Sequence, residues 1–151
     1  MNHQFESLKL FYTALLVPTA AHMKELNTAD FEQKDEDPLW HLGHVANDLC
    51  RVLLVPFGVT EGPANKFGDV FLGLGSWNPW PIGARPEFEE LITWFEEIFE
   101  VIEELHGNKQ TKLPESFKLE RMVVTTTGEA WDYALFHTGL HIGRVHQMLD
   151  W

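Results

Sequence analysis

The sequence predicts an all-α protein, a four-helix bundle in a single domain spanning residues 1–151, with a long connection between helices two and three. Three observations carry this. Four segments repeat apolar residues at three- and four-residue steps, the period of an amphipathic helix. Each of the last three segments opens on a recognisable helix start. The longest stretch between them, Val59 to Arg85, is rich in Gly, Pro and Asn, as a connection should be.

The first segment runs from Phe5 to Leu26, with Phe5, Leu8, Tyr12, Leu15, Leu16, Met23 and Leu26 on the apolar stripe. Pro18 lies inside it and is expected to kink or briefly interrupt the helix, because proline lacks the N–H of the ladder. The second runs from Pro38 to Val55, with Asp37 as N-cap, Pro38 in the first turn, and Pro56 and Gly58 closing it. The third runs from Pro86 to His106. Glu87, Glu89 and Glu90 suit the positive end of its dipole, and Gly107-Asn108 supplies a C-cap. The fourth runs from Thr127 to the C-terminus, and Thr126 and Glu129 have the spacing of a capping box. Gln110 to Val124 forms a short link between helices three and four.

The long connection, Val59 to Arg85, contains Phe67, Phe71, Trp77 and Trp80. A loop of this length inside a compact domain is often functional. These aromatics suit it either to cover one end of the bundle or to wall a site.

Composition narrows the function. With 44% hydrophobic residues, the 151-residue chain is suited to a packed core without staples. Lys and Arg number 11 against 23 Asp and Glu, a net charge of -12. Such a surface repels phosphate backbones, so no nucleic-acid partner is expected. The acidic runs, Asp35–Asp37 and Glu87–Glu104, read as solvated faces. Cys50 is the only cysteine, which excludes an internal disulfide and fits a reducing compartment. It reads as a buried core thiol. No apolar run reaches membrane-spanning length and the N-terminus lacks signal-peptide character, so a cytoplasmic protein is expected.

Eight histidines stand at positions 3, 22, 41, 44, 106, 137, 141 and 146. His3 is near a terminus, and His22 and His106 are near helix ends, where a surface or dipole role suffices. His137 and His141 differ. Four residues apart on one helix, they project from the same face, the spacing that lets two imidazoles reach one metal ion. At about 100° per residue, Tyr133, Leu140, Arg144 and Met148 share that face. His146 falls nearly opposite His137, together with Gly139 and Gly143, whose small size permits close approach by another helix or a second subunit. Helix two offers the third ligand, His44, with Trp40, Asp48 and Arg51 on its face and His41 about 60° to one side. Asp48 is suited to be a fourth ligand, an acceptor that fixes an imidazole tautomer, or a salt-bridge partner of Arg51 or Arg144. Three neutral imidazoles on two facing helices leave coordination positions open, the pattern of catalytic metal sites.

Trp40-His41-Leu42-Gly43-His44 resembles the Trp-x-x-x-His motif of the DinB-like superfamily. Thr127-Gly128-Glu129 leading into Phe136-His137-x-x-x-His141-Ile142-Gly143-Arg144-Val145 resembles that family's final helix, where His-x-x-x-His is commonly followed by Arg-Gly-Gln. Here the basic residue stands two positions later. The resemblance covers nearly the whole chain in helix order. It implies a four-helix bundle holding one metal through His44, His137 and His141, with His41 not a ligand. Characterised members include thiol S-transferases, mycothiol-dependent isomerases and the metal-binding domains of sulfoxide synthases. The resemblance therefore implies an enzyme that activates a low-molecular-weight thiol on one divalent transition metal, with a homodimer as the family-like assembly. Trp40, Asp48, Arg51 and Arg144 would border the ligands or bind substrate. Zn, Ni, Fe and Mn all accept such a donor set. The alternatives are a metal-dependent hydrolase with Asp48 as base, and a bundle that binds metal or a partner without catalysis.

Overall fold

A computed structural model of the chain describes residues 3–25, 37–68, 70–71, 86–107, 111–119 and 121–151. Four helices dominate it: α1 His3–Glu25, α2 Pro38–Leu49, α3 Phe88–His106 and α4 Thr127–Leu149. The all-α four-helix bundle expected from periodicity is the architecture observed. No described helix is long and apolar enough to cross a membrane.

Side-chain pairings give the helix directions. Phe5 meets Phe99 and Tyr12 meets Phe95, at ring centroids 6.1 and 4.4 Å apart, so α1 and α3 are antiparallel. Gln4 donates to Asp132 at 3.5 Å and His146 donates to the Ala14 carbonyl at 3.0 Å, so α1 and α4 are parallel. His41 meets His141 and Asp48 meets His137, so α2 is antiparallel to α4. The successive helices α2 and α3 therefore point the same way. Such a pair needs a crossover the length of the bundle, which is the physical reason for the long connection.

The helix starts follow their caps. The Asp37 carboxylate accepts from the Leu39 N–H at 2.9 Å, with Pro38 in the first turn. In α4, Glu129 N–H donates to the Thr126 hydroxyl at 3.1 Å, and the Glu129 carboxylate accepts from the Thr126 N–H at 3.2 Å. Glu90 accepts from the Glu87 N–H at 2.8 Å, so Glu87 is the cap and α3 begins two residues after Pro86. Gly107 stays in right-handed helical geometry (φ -64), so the left-handed glycine cap expected there is not made; Asn108 lies outside the described residues.

Three further features depart from the sequence expectations. Helix α2 does not run regularly to Val55. It widens into a π-helical turn over Cys50–Leu54 and tightens into a 3-10 turn over Val55–Phe57, ended by Gly58 at φ 93. The link between α3 and α4 contains a small antiparallel hairpin, β1 Phe117–Leu119 paired with β2 Met122–Val124. Strands of three residues are too short to show a period of two.

The third departure is α1, which passes through Pro18 without interruption. Proline removes the N–H that would reach the carbonyl of Ala14. His146 Nε2 donates to that same carbonyl at 3.0 Å, so the lost bond is replaced from α4. Gly139 faces the same helix, with room for a Cβ 3.7 Å from the Phe11 ring.

Helix α2 is the centre of the core. All of its residues except Trp40 are buried. Around it pack Leu8 and Leu15 of α1, Leu91, Trp94, Phe95, Ile98 and Ile102 of α3, and Trp131, Ala134 and Val145 of α4. Each large apolar side chain so buried contributes roughly 1.5–3 kcal/mol. Cys50 is fully buried and its thiol is pushed up to about 12 by burial, as suits a core residue. His106 is not a surface residue. It is buried against Phe57 and Trp131, and its Nε2 donates to the Leu53 carbonyl at 3.0 Å within the π-helical turn.

Two predictions arise. Replacing His146 with Ala strands the Ala14 carbonyl and is expected to destabilise the fold by about 1–3 kcal/mol. In a Pro18→Ala background, which restores the missing N–H, the same replacement should cost clearly less; chemical denaturation of the four proteins measures this cycle. Burial holds His106 below the usual histidine value of 6.5, partly offset by its bond to Leu53. The unfolded chain therefore takes up a proton at higher pH than the folded one. Stability should fall as pH drops below about 6.5, and His106→Gln, which cannot charge, should make that fall shallower in urea melts.

Candidate metal centre

The site forms where the buried face of α2 meets α4. On α2, His41, His44 and Asp48 follow one another at intervals of three and four, along one flank. On α4, His137 and His141 stand one turn apart, on the edge of the stripe made by Trp131, Ala134, Thr138 and Val145. The antiparallel packing of the two helices brings the sets together. One ring nitrogen each from His44, His137 and His141 lies within 4.8 Å of the other two. These are the three residues expected from spacing and motif.

What lies behind each ring decides which nitrogen is available. The Phe71 carbonyl lies 2.8 Å from His44 Nδ1. A carbonyl can only accept, so this Nδ1 carries the proton and Nε2 keeps the lone pair. The Asp48 Oδ2 lies 3.0 Å from His137 Nδ1, and an ionised carboxylate makes the same assignment there. His141 Nδ1 lies 2.7 Å from His41 Nδ1, so its Nδ1 is also engaged. The nitrogen left over on every ring is Nε2. Those of His137 and His141 are 3.3 Å apart, about the separation of two nitrogens held at about 2.0–2.1 Å by one tetrahedral zinc ion. The donor set and its supports fit a divalent transition metal.

The electrostatics agree. Burial, and then the neighbouring His137, His44 and His41, push His141 down to about 2. Burial also lowers His44, against the opposing effects of the Phe71 carbonyl and Asp48. Rings that resist protonation keep their lone pairs for a metal. Burial alone would raise the Asp48 carboxyl. The hydrogen bond from His137, with the electrostatic influence of His137, His44 and Arg51, outweighs it and holds Asp48 below the usual carboxylate range. An ionised Asp48 beside the site offsets part of the charge that three neutral imidazoles leave uncompensated.

Asp48 resolves two of its three expected roles at once. Its Oδ2 holds His137 and its Oδ1 accepts from Arg51 at 3.4 Å. It stands behind the His137 ring, not beside the converging nitrogens, so the fourth-ligand role is not the one it takes. Trp40 stacks on His44 at 4.6 Å and Tyr133 on His137 at 5.4 Å, walling two of the three rings. Arg51 and Arg144 are exposed, and Arg144 donates to Gln147 at 3.0 Å. Leu140, expected on the histidine face, is 54% exposed.

The long connection takes part through its first half. Phe71 is fully buried against Phe67 and Trp94, and Trp94 Nε1 donates to the Pro63 carbonyl at 2.7 Å. Trp77 and Trp80 lie outside the described residues. The sequence alone did not single out the Phe71 carbonyl, since any residue presents one. It did contain a signal at Gly43: glycine inside a helix is unfavourable by roughly 0.5–1 kcal/mol unless something needs the space. Here a Cβ would stand 2.0 Å from the Phe71 ring. Gly43 is the socket for Phe71, and Phe71 holds His44.

Gly43→Ala is accordingly expected to displace Phe71, destabilise the fold by about 1–3 kcal/mol despite the better helix propensity of alanine, and loosen His44. Thermal melts measure the first effect. The second should appear as an altered His44 ring environment in histidine NMR spectra. Comparison with protein-family models, with curated proteins and with solved structures finds no match to this chain.

Proposed function

We propose that the protein binds one divalent transition metal through Nε2 of His44, His137 and His141, and that it is a metal-dependent enzyme acting on a low-molecular-weight thiol, of the S-transferase kind. The observation that carries the metal reading is the engagement of all three Nδ1 atoms by separate partners, with one nitrogen of each ring within 4.8 Å of the other two. Histidines that merely fill a core need no such convergence of their remaining nitrogens. The thiol reading is supported by the order of the Trp-x-x-x-His and His-x-x-x-His motifs, which resembles the DinB-like superfamily.

A divalent ion bound by three imidazoles supplies Lewis acidity at an open position, which favours the thiolate form of a thiol entering there. The chain's own residues do the rest. Asp48 keeps the proton of His137 on Nδ1, and Phe71 does the same for His44. Trp40 and Tyr133 limit water around two of the rings and present flat apolar surfaces to an electrophile. Arg51 and Arg144, exposed to either side, are suited to a substrate carboxylate.

Hydrolysis with Asp48 as general base is the weaker reading. Both carboxylate oxygens are occupied, and the His137 ring separates them from its own Nε2.

Elemental analysis of the purified, untagged protein beside His137→Ala tests the proposal. About one equivalent of a transition metal in the wild type, lost in the variant, is expected. Metal-loaded protein should then accelerate conjugation of small thiols with an aryl halide, and His137→Ala should abolish the acceleration. Wild type that neither contains nor takes up metal would overturn the metal reading. Metal-loaded protein inert towards every thiol would leave a non-catalytic metal-binding bundle.

A further inference from the structure

His41 is buried, at 3% exposure, one turn before His44. Its Nδ1 lies 2.7 Å from Nδ1 of His141. At that distance two lone pairs would repel and two N–H groups would clash, so the pair shares one proton. The position of that proton decides what the other end of His141 presents. If His41 donates, neutral His141 carries its proton on Nε2 and offers no lone pair towards His44 and His137. If His141 donates, its Nε2 is bare and His41 carries its own proton on Nε2.

The other two rings have no such choice. A carbonyl and a carboxylate, which only accept, face His44 and His137. His141 alone depends on a partner that can act in either sense. We infer that His41 is a positioning residue for His141: with a metal bound, it accepts the Nδ1 proton of His141 and thereby keeps the Nε2 lone pair of that ring directed at the ion. The inference rests on the metal reading of the three histidines. It adds to it a fourth histidine that touches no metal. Trp40, set edge-on to His41 with centroids 5.3 Å apart and planes at 84°, limits rotation of the accepting ring. A partner of this kind typically changes metal affinity about 10- to 100-fold when removed.

The test uses the full chain. Long-range proton–nitrogen NMR spectra of zinc-loaded, histidine-labelled wild type should show His41 protonated on Nε2 and bare on Nδ1; a proton on His41 Nδ1 would overturn the inference. Zinc and cobalt affinities, measured by chelator competition, should fall about 10- to 100-fold in His41→Phe. They should return to within a few-fold of wild type in His41→Asn, whose amide oxygen reaches the place of Nδ1 and accepts. A general packing defect would not be repaired by asparagine. Equal affinity in wild type and His41→Phe, or asparagine no better than phenylalanine, would overturn the role of His41 while leaving the three-histidine site standing. Wild type that takes up neither ion would overturn the metal reading, and the inference with it.

Discussion

Helix α2 is buried on every side except at Trp40, and yet it carries His41, His44 and Asp48 in its middle. A buried imidazole or carboxylate without partners is destabilising by several kcal/mol, so the surroundings of α2 must answer these groups. Two parts of the chain do so. Helix α4 brings His137 and His141 against Asp48 and His41, and the long connection brings the Phe71 carbonyl to His44. The polar network is therefore a condition for placing α2 at the centre of the bundle. The orientation of each ring follows from the same contacts that satisfy it.

This couples scaffold and site. Because α2 and α3 are parallel, the chain must return along the bundle between them. Phe71 lies on that return path, plugs the space above Gly43, packs on Trp94, and turns its carbonyl to His44. One residue thus acts as core side chain and as backbone acceptor. The widened turn at Cys50–Leu54 begins two residues after Asp48, and His106 and Arg51 hold its surroundings. Irregular turns of this type inside helices are frequent at functional sites, where they re-aim side chains that a regular helix would point elsewhere.

Helix α4 works on two sides. His137 and His141 face α2, and His146 with Gly139 faces α1. A histidine outside the three-histidine cluster mends the hydrogen-bond gap left by Pro18 at Ala14, and α1 continues as one helix beside α4. Six of the eight histidines divide by what faces them. His44, His137 and His141 each bring a ring nitrogen within 4.8 Å of the other two, His41 meets His141, and His106 and His146 each bond a backbone carbonyl of another helical segment.

Much of this was legible in the chain itself. Apolar steps of three and four residues, with Asp37-Pro38 and Thr126–Glu129 as starts, locate the helices, because burial of one face and capping of orphan N–H groups are local demands. The pairing of His137 with His141 is local too, being a matter of helical pitch. That His44 joins them was indicated by its own face on α2 and by motif order. Other features depended on contacts between residues distant in sequence, which no local pattern encodes. Pro18 signals an interruption until α4 supplies His146. His106 looks like a helix-end residue until the π-helical turn offers the Leu53 carbonyl. Asp48 had three expected roles, and only the register of α2 against α4 placed His137 at 3.0 Å from it, beside Arg51 at 3.4 Å on its own helical segment. Local sequence sets helix starts and faces through short-range sterics and hydrogen bonding, whereas the acceptor behind each histidine depends on how distant segments pack.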